Sequence, residues 1–169
     1  MRPMKVPQKR EKIKTRLEGR KPKDSVLDGV SGGLPPLDRA WKLQKKAARV
    51  GFDWPDRTGV IDKINEEFDE VKKAIAFEAG SSASHTKAEA GEKPAAANLE
   101  EELGDLLFSV VNLCRFYDIE PSLALQRTNT KFTERFKHVE KRMKETGNEM
   151  KHGNLELMDQ FWNEAKNKA

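Results

Sequence analysis

The clearest hydrophobic pattern in the chain is Ile61, Ile64, Phe68, Val71 and Ile75, which step by three and four residues and so share one side of a helix. The charged set Lys63, Glu66, Glu67 and Glu70 is expected off that stripe. A second run, Leu99, Leu103, Leu106, Leu107, Val110, Val111 and Cys114, covers more than one face of a helix from about Asn98 to Tyr117. That helix is expected to be central and buried, with Cys114 as a core thiol. Phe132, Phe136, Val139 and Met143 mark a helix from about Pro121 to Thr146, and Gly147 suits the position just past its end. Pro35-Pro36 opens an earlier helix whose Leu37, Ala40, Trp41, Ala47 and Ala48 lead to Val50, with Gly51 ending it. Thr58 is the expected cap of the stripe-bearing helix, and Asn154 that of a short last helix from Leu155 to about Lys166.

Glu78–Ala97 has no bulky apolar residue and reads as a mobile, low-complexity insertion. No alternating stretch of strand length stands out, and no Asn-Gly or Asp-Gly pair lies between strand-like runs. The pattern predicts an all-α fold of about five helices. One domain spans residues 34–169, behind a tail and linker at 1–33.

Composition changes this picture at one end. The net charge of +4 hides ten basic and two acidic residues in Met1–Lys23, which leave 22 basic and 26 acidic for the rest. The body is mildly acidic, so nucleic-acid binding is expected, if at all, only through the tail. No run reaches the roughly 18 apolar residues of a membrane span, and the basic start lacks the apolar segment of a secretory signal. A single cysteine excludes an internal disulfide, which fits a cytoplasmic protein.

Candidate chemistry lies on the two best helices. Glu67 and Glu70 are three residues apart, as are Glu102 and Asp105, so each helix offers a pair of carboxylates pointing one way. A lone acidic cluster is usually just a wet face. The second pair, however, shares its turns with Leu99, Leu103 and Leu106, where an unpartnered charge is costly. Gly104 between its members suggests close approach of a ligand or helix. If the helices pack antiparallel, four carboxylates converge, and a hard divalent cation neutralises their repulsion. Magnesium suits such an oxygen site, with manganese as substitute.

Lys131 and Arg135, one turn apart beside the Phe132/Phe136 stripe, are placed to hold a polyphosphate or to make salt bridges such as one with Glu134. Trp41, Trp54 and Trp162 are core or hinge candidates, and Trp54 or Trp162 could stack on a base. His138 has Arg135 rather than Glu three residues before it, so the di-iron signature is missing. No Walker loop occurs.

Together these residues resemble a known family. Glu66-Glu67-x-x-Glu70 followed by Glu102-x-x-Asp105 is similar to the signature of the all-α nucleoside triphosphate pyrophosphohydrolases, and the likeness is strongest to the MazG type. It is carried also by Lys45–Trp54, Glu100–Phe108, Val111-Asn112-Leu113 and Lys131-Phe132-x-x-Arg135-Phe136. The chain resembles the second domain of the long MazG proteins, and Ser25–Pro36 the linker before it; the first domain has no counterpart here. Met1–Lys23 and the 78–97 insertion depart from the pattern.

The resemblance implies a four-helix-bundle-like domain, completed by dimerisation. It implies metal-dependent hydrolysis of nucleoside triphosphates, broad in base, to monophosphate and pyrophosphate. Glu67, Glu70, Glu102 and Asp105 would bind magnesium, with Glu66 and Glu101 supporting the metal site or positioning water. Lys63, Lys131 and Arg135 would hold the triphosphate, and Trp162 would line the nucleotide pocket with Asn98 at its edge. Two other readings stay open: a non-catalytic bundle that binds a nucleotide or partner, and a nucleic-acid module working through the tail. Apolar residues on both sides of the third helix independently lead to the expectation of a homodimer.

Overall fold

The computed structural model describes residues 24–81 and 95–167. Five α-helices are found there, α1 (Pro36–Arg49), α2 (Arg57–Ser81), α3 (Ala95–Phe116), α4 (Pro121–Glu145) and α5 (Leu155–Asn167), with a 3-10 turn at His152–Asn154 before the last. No strand occurs among the described residues. The tail Met1–Lys23 and most of the expected insertion lie outside them. The two ends of that insertion are helical, because α2 runs to Ser81 and α3 begins at Ala95. The helices fall into two compact units, the first ending at Phe116 and the second beginning at Tyr117.

In the first unit, α3 packs against both α1 and α2. Proline in the first turn starts α1, and Gly51 ends it with φ +94°, a conformation that suits a residue without Cβ. Gln44 is buried on α1 and donates its Nε2 to the backbone oxygen of Phe108 on α3 at 2.8 Å, a polar tie between the two helices. The cap of α2 is Asp56 rather than Thr58: its Oδ1 accepts the Thr58 N–H at 2.8 Å. Two residues earlier than expected, a carboxylate thus takes an orphan donor of the helix start.

The buried face of α2 is not the apolar stripe. Val60, Glu67, Val71 and Ala74 are buried, whereas Ile61, Phe68 and Ile75 are 43%, 49% and 51% exposed. At the helical repeat, the two faces differ by about 60°. Val71 belongs to both and the half-buried Ile64 lies between them, so the stripe looks right while its far edge is left open, and Glu67 lies in the packed seam rather than off it. The third apolar helix, α3, is central but not buried. Ser109 and Val111 are buried, yet Leu103, Leu107, Phe108 and Val110 remain between 42% and 59% exposed. Cys114 is only half-buried, enough to push its thiol above the ordinary value. Gly104 has open space where a Cβ would stand, so no close approach among the described residues requires it.

The second unit pairs α4 with α5. Glu120 caps α4 by accepting from Ser122 N and Leu123 N at 3.2 and 2.7 Å. Gly147, at φ +70°, follows its end as expected. Val139, Met143 and Phe161 form the core, with Leu157, Met158 and Trp162 packed on it. The outer half of the expected α4 stripe is open: Phe132 is 55% exposed and lies between Phe136 and Trp162, at 5.9 and 5.2 Å between ring centres. Glu164 on α5 accepts from Arg142 at 3.1 Å and lies 3.3 Å from His138 Nε2, tying the two helices. Asn154 donates its side-chain amide to the Glu149 carbonyl at 2.8 Å and fastens the turn before α5.

Met143, 1% exposed at the centre of this unit, is the residue on which its packing most depends. Met143→Ala should cost about 2–5 kcal/mol in urea unfolding. Met150→Ala, at a 42% exposed position, should stay within about 0.5 kcal/mol.

Candidate active site

Both carboxylate pairs are on helices that pack together. Glu67 and Glu70 stand on α2, Glu102 and Asp105 on α3. Glu70 meets Glu102 at one end, and Lys63 shares a cavity wall with Asp105 and Asn112 farther along. That is the residue order of antiparallel helices. Carboxylate oxygens of Glu67, Glu70 and Glu102 lie within 4.8 Å of one another. Asp105 is not among them; it stands most of a helical turn farther along α3 and is exposed.

The electrostatics follow from burial. Glu67 is 4% exposed, and Lys63 neutralises it from one turn away, Nζ to Oε1 at 2.7 Å. Lys63 also holds the exposed Glu66 at 2.9 Å. Hydrogen bonds to Glu67 and then to Glu66 hold the Lys63 ammonium well above its ordinary value. Glu67 Oε2 is buried and has no hydrogen-bond partner among the described residues. Loss of water, and then the charges of Glu67 and Glu102, push the Glu70 carboxyl above its ordinary value. One lysine is shared among several carboxylates, and a buried acceptor is left over. A divalent cation fits this donor set: the ligands are all hard oxygens, and the orphaned Oε2 is the atom that coordination would satisfy.

Asp105, Lys63 and Glu67 also edge a cavity of about 820 Å³ in the first unit. Part of its wall is the loop between α1 and α2, which carries Phe52, Asp53 and Trp54. Arg115 of α3 grips this loop through both guanidinium nitrogens on Asp53, one of them at 2.9 Å. Its Nε donates to Asn112 at 2.9 Å. Asp53 Oδ1 also accepts the Trp54 N–H. The Trp54 ring lies over the start of α2, where a Cβ on Gly59 would come within 2.5 Å of it. Gly59 therefore permits that ring position, a role that sequence reading did not assign. Arg115, Asn112 and Gln44 were likewise missed as site-forming residues; the signals were the Phe52-Asp53-Trp54 segment and, for Asn112, the Val111-Asn112-Leu113 segment.

The other expected site residues are placed as follows. Asn98 is half-buried near the start of α3, and Glu101 is exposed on the same helix. In the second unit Lys131 is exposed, and Arg135 and Trp162 are half-buried. The Arg135 guanidinium lies 6.0 Å from the centre of the Trp162 ring, and its Nε is buried without a hydrogen-bond partner among the described residues.

Comparison with known proteins bears on the same segments. Residues 57–140 match the sequence model of the MazG nucleotide pyrophosphohydrolase domain. A nucleoside triphosphate pyrophosphohydrolase of Escherichia coli K12 is 41% identical over 156 residues, 92% of this chain and 54% of the relative. A nucleoside triphosphate pyrophosphohydrolase/pyrophosphatase MazG of Thermotoga maritima is 38% identical over 156 residues, 92% of this chain and 53% of the relative. An uncharacterized Bacillus subtilis protein, YabN, is 44% identical over 142 residues, 84% of this chain and 26% of that protein. The chain thus spans about half the length of the first two relatives. The matched segment holds both carboxylate pairs and the Lys131/Arg135 pair on an all-helical frame, and the chain belongs to the MazG family.

Proposed function

We propose that the protein hydrolyses nucleoside triphosphates, broadly with respect to base, to nucleoside monophosphate and pyrophosphate. The observation that carries this is the set of three carboxylates, one of them buried with an oxygen, Glu67 Oε2, that has no hydrogen-bond partner among the described residues, at the seam of a MazG domain. Glu67, Glu70 and Glu102 would hold magnesium, or manganese in its place, with Asp105 as a further ligand. Such an ion supplies charge neutralisation at the phosphate oxygens and acidifies water near neutral pH. The chain's own residues do the rest. Glu66, exposed beside the buried Glu67, is the base that takes a proton from the attacking water. Glu101 helps to position that water. Lys63 exchanges part of its grip on Glu66 for the triphosphate. Lys131 and Arg135, one turn apart on α4, add two cations, and the buried, unpartnered Nε of Arg135 has a donor to spare. Trp162, in the second unit, and Asn98, in the first, are each carried over from the resemblance as nucleotide-binding candidates. The names of the Escherichia coli and Thermotoga maritima relatives support this reading. We place the activity in the cytoplasm, in keeping with a single cysteine and with the absence of any described helix long and apolar enough to cross a membrane.

The functional unit in this reading is a homodimer. Ile61, Phe68 and Ile75 recur every seven residues on one side of α2, and Leu103, Leu107 and Val110 are open on α3. An exposed apolar seam of this kind suits a partner helix pair.

Pyrophosphate release from the standard nucleoside triphosphates is expected with magnesium, none with EDTA, and none from Glu102→Ala in either condition. Metal-independent release, or full activity in the variant, would contradict the assignment. Sedimentation equilibrium at micromolar concentration should give about twice the 19.2 kDa chain mass, and Phe68→Glu should reduce it to one chain. A monomeric wild type would remove the dimer from the account.

A further inference from the structure

The loop between α1 and α2 forms part of the cavity wall beside the carboxylates, yet burial does not hold it there. Every residue from 50 to 56 is exposed, with Phe52 at 82% and Trp54 at 43%. A segment with so little buried surface is set by its polar anchors. Its two ends are fixed by the helices they leave and enter. Phe52 N donates to the Ala47 carbonyl at 3.1 Å, and the side chain of Asp56 caps α2. The middle is fixed from α3, by Arg115.

The Arg115 side chain is 10% exposed, so its guanidinium has given up most of its water. Both terminal nitrogens donate to the Asp53 carboxylate, and Nε donates to Asn112 Oδ1. The planar fork is thereby fixed in orientation from two sides. Asp53 passes the constraint on, because its Oδ1 also accepts the Trp54 N–H at 2.9 Å. Charge rather than apolar packing decides where this wall of the cavity stands. Arg115 also shares α3 with Glu102 and Asp105. Ten residues separate Asp105 from Arg115, about 15 Å along the helix axis, and both edge the cavity. One rigid helix thus sets the spacing between the carboxylates and the loop.

We infer that Arg115 is a positioning residue for the proposed reaction: through Asp53 it holds the α1–α2 loop at the spacing from the carboxylates that a bound nucleoside triphosphate requires. The inference rests on the proposed nucleotide reading and gives a role to a charge pair outside the metal candidate cluster. Arg115 acts on the substrate only through the loop and supplies no ligand to the metal. A loop ordered before the ligand arrives does not have to be ordered by it, so the pair acts on affinity.

Affinity is measured on the full chain by equilibrium dialysis of α,β-methylene-ATP with magnesium, and loop order by hydrogen exchange of the amides of residues 50–56 without ligand. Turnover of ATP by the wild type is measured separately and decides the hydrolase reading alone. Arg115→Ala should weaken analogue binding about tenfold and speed exchange in the loop. Asp53→Ala should weaken binding at least as much. Adding Arg115→Ala to it should weaken binding no further, since the two side chains act as one device. Circular dichroism establishes folding; where Arg115→Ala does not fold, Arg115→Lys, which keeps the charge and loses the fork, takes its place. A pair that only stabilises the fold would lower the urea midpoint and leave the affinity of the folded variants at the wild-type value. That result, additive losses in the double variant, or a wild type that does not bind the analogue would overturn the inference.

Discussion

Like charges held together govern this fold. Three carboxylates from two helices approach within 4.8 Å, and one of them is buried. Left alone, such a group costs several kcal/mol. The chain supplies one partial answer, Lys63, whose ammonium neutralises Glu67 and Glu66 together. It supplies no donor for Glu67 Oε2 among the described residues, and Glu70 responds by holding its proton more tightly than usual. The packing of α2 on α3 keeps the charges in place, since Val60, Val71 and Ala74 are buried on the same face of α2 as Glu67. Stability and site are thus in tension along a single seam. A cation at this point would relieve both the repulsion and the orphaned oxygen, which is why the geometry favours a metal over a merely acidic surface.

The same seam explains the open apolar surface. Because the buried face of α2 is rotated toward Glu67, Ile61, Phe68 and Ile75 are turned outward, and α3 leaves Leu103, Leu107 and Val110 uncovered. Among the described residues both rows stay open, and they are the surface that the proposed homodimer would cover.

Much of this was legible beforehand. Apolar spacing and helix-end signals located all five helices, and the two acidic pairs pointed to the carboxylate cluster, because these signals are local. The direction of each face was not. The apolar stripe of α2 and its true packed face share Val71 and differ by about 60°, a rotation decided by what α3 offers opposite rather than by spacing. For the same reason Glu67, expected off the apolar stripe, lies buried in the packed seam. Asp105 and Glu102 look equivalent in sequence, yet Glu102 alone joins the cluster of three, since position along the helix axis matters as much as face. The cavity was the least legible element. Gln44, Gly59, Asn112 and Arg115 are far apart in sequence, and only tertiary packing brings Arg115 onto Asp53 across 62 residues. Gly104, by contrast, suggested a close approach that no described residue makes.

The central claim is that the α2–α3 seam is strained without a cation. The most direct measurement is thermal unfolding of the wild type and Glu70→Gln, in EDTA, in millimolar magnesium, and in sodium chloride of equal ionic strength. The account predicts a saturable rise in the wild-type midpoint with magnesium that sodium does not reproduce. It predicts that Glu70→Gln is more stable than wild type in EDTA and largely loses the magnesium response. Identical curves in magnesium and sodium, with no gain from Glu70→Gln in EDTA, would contradict it.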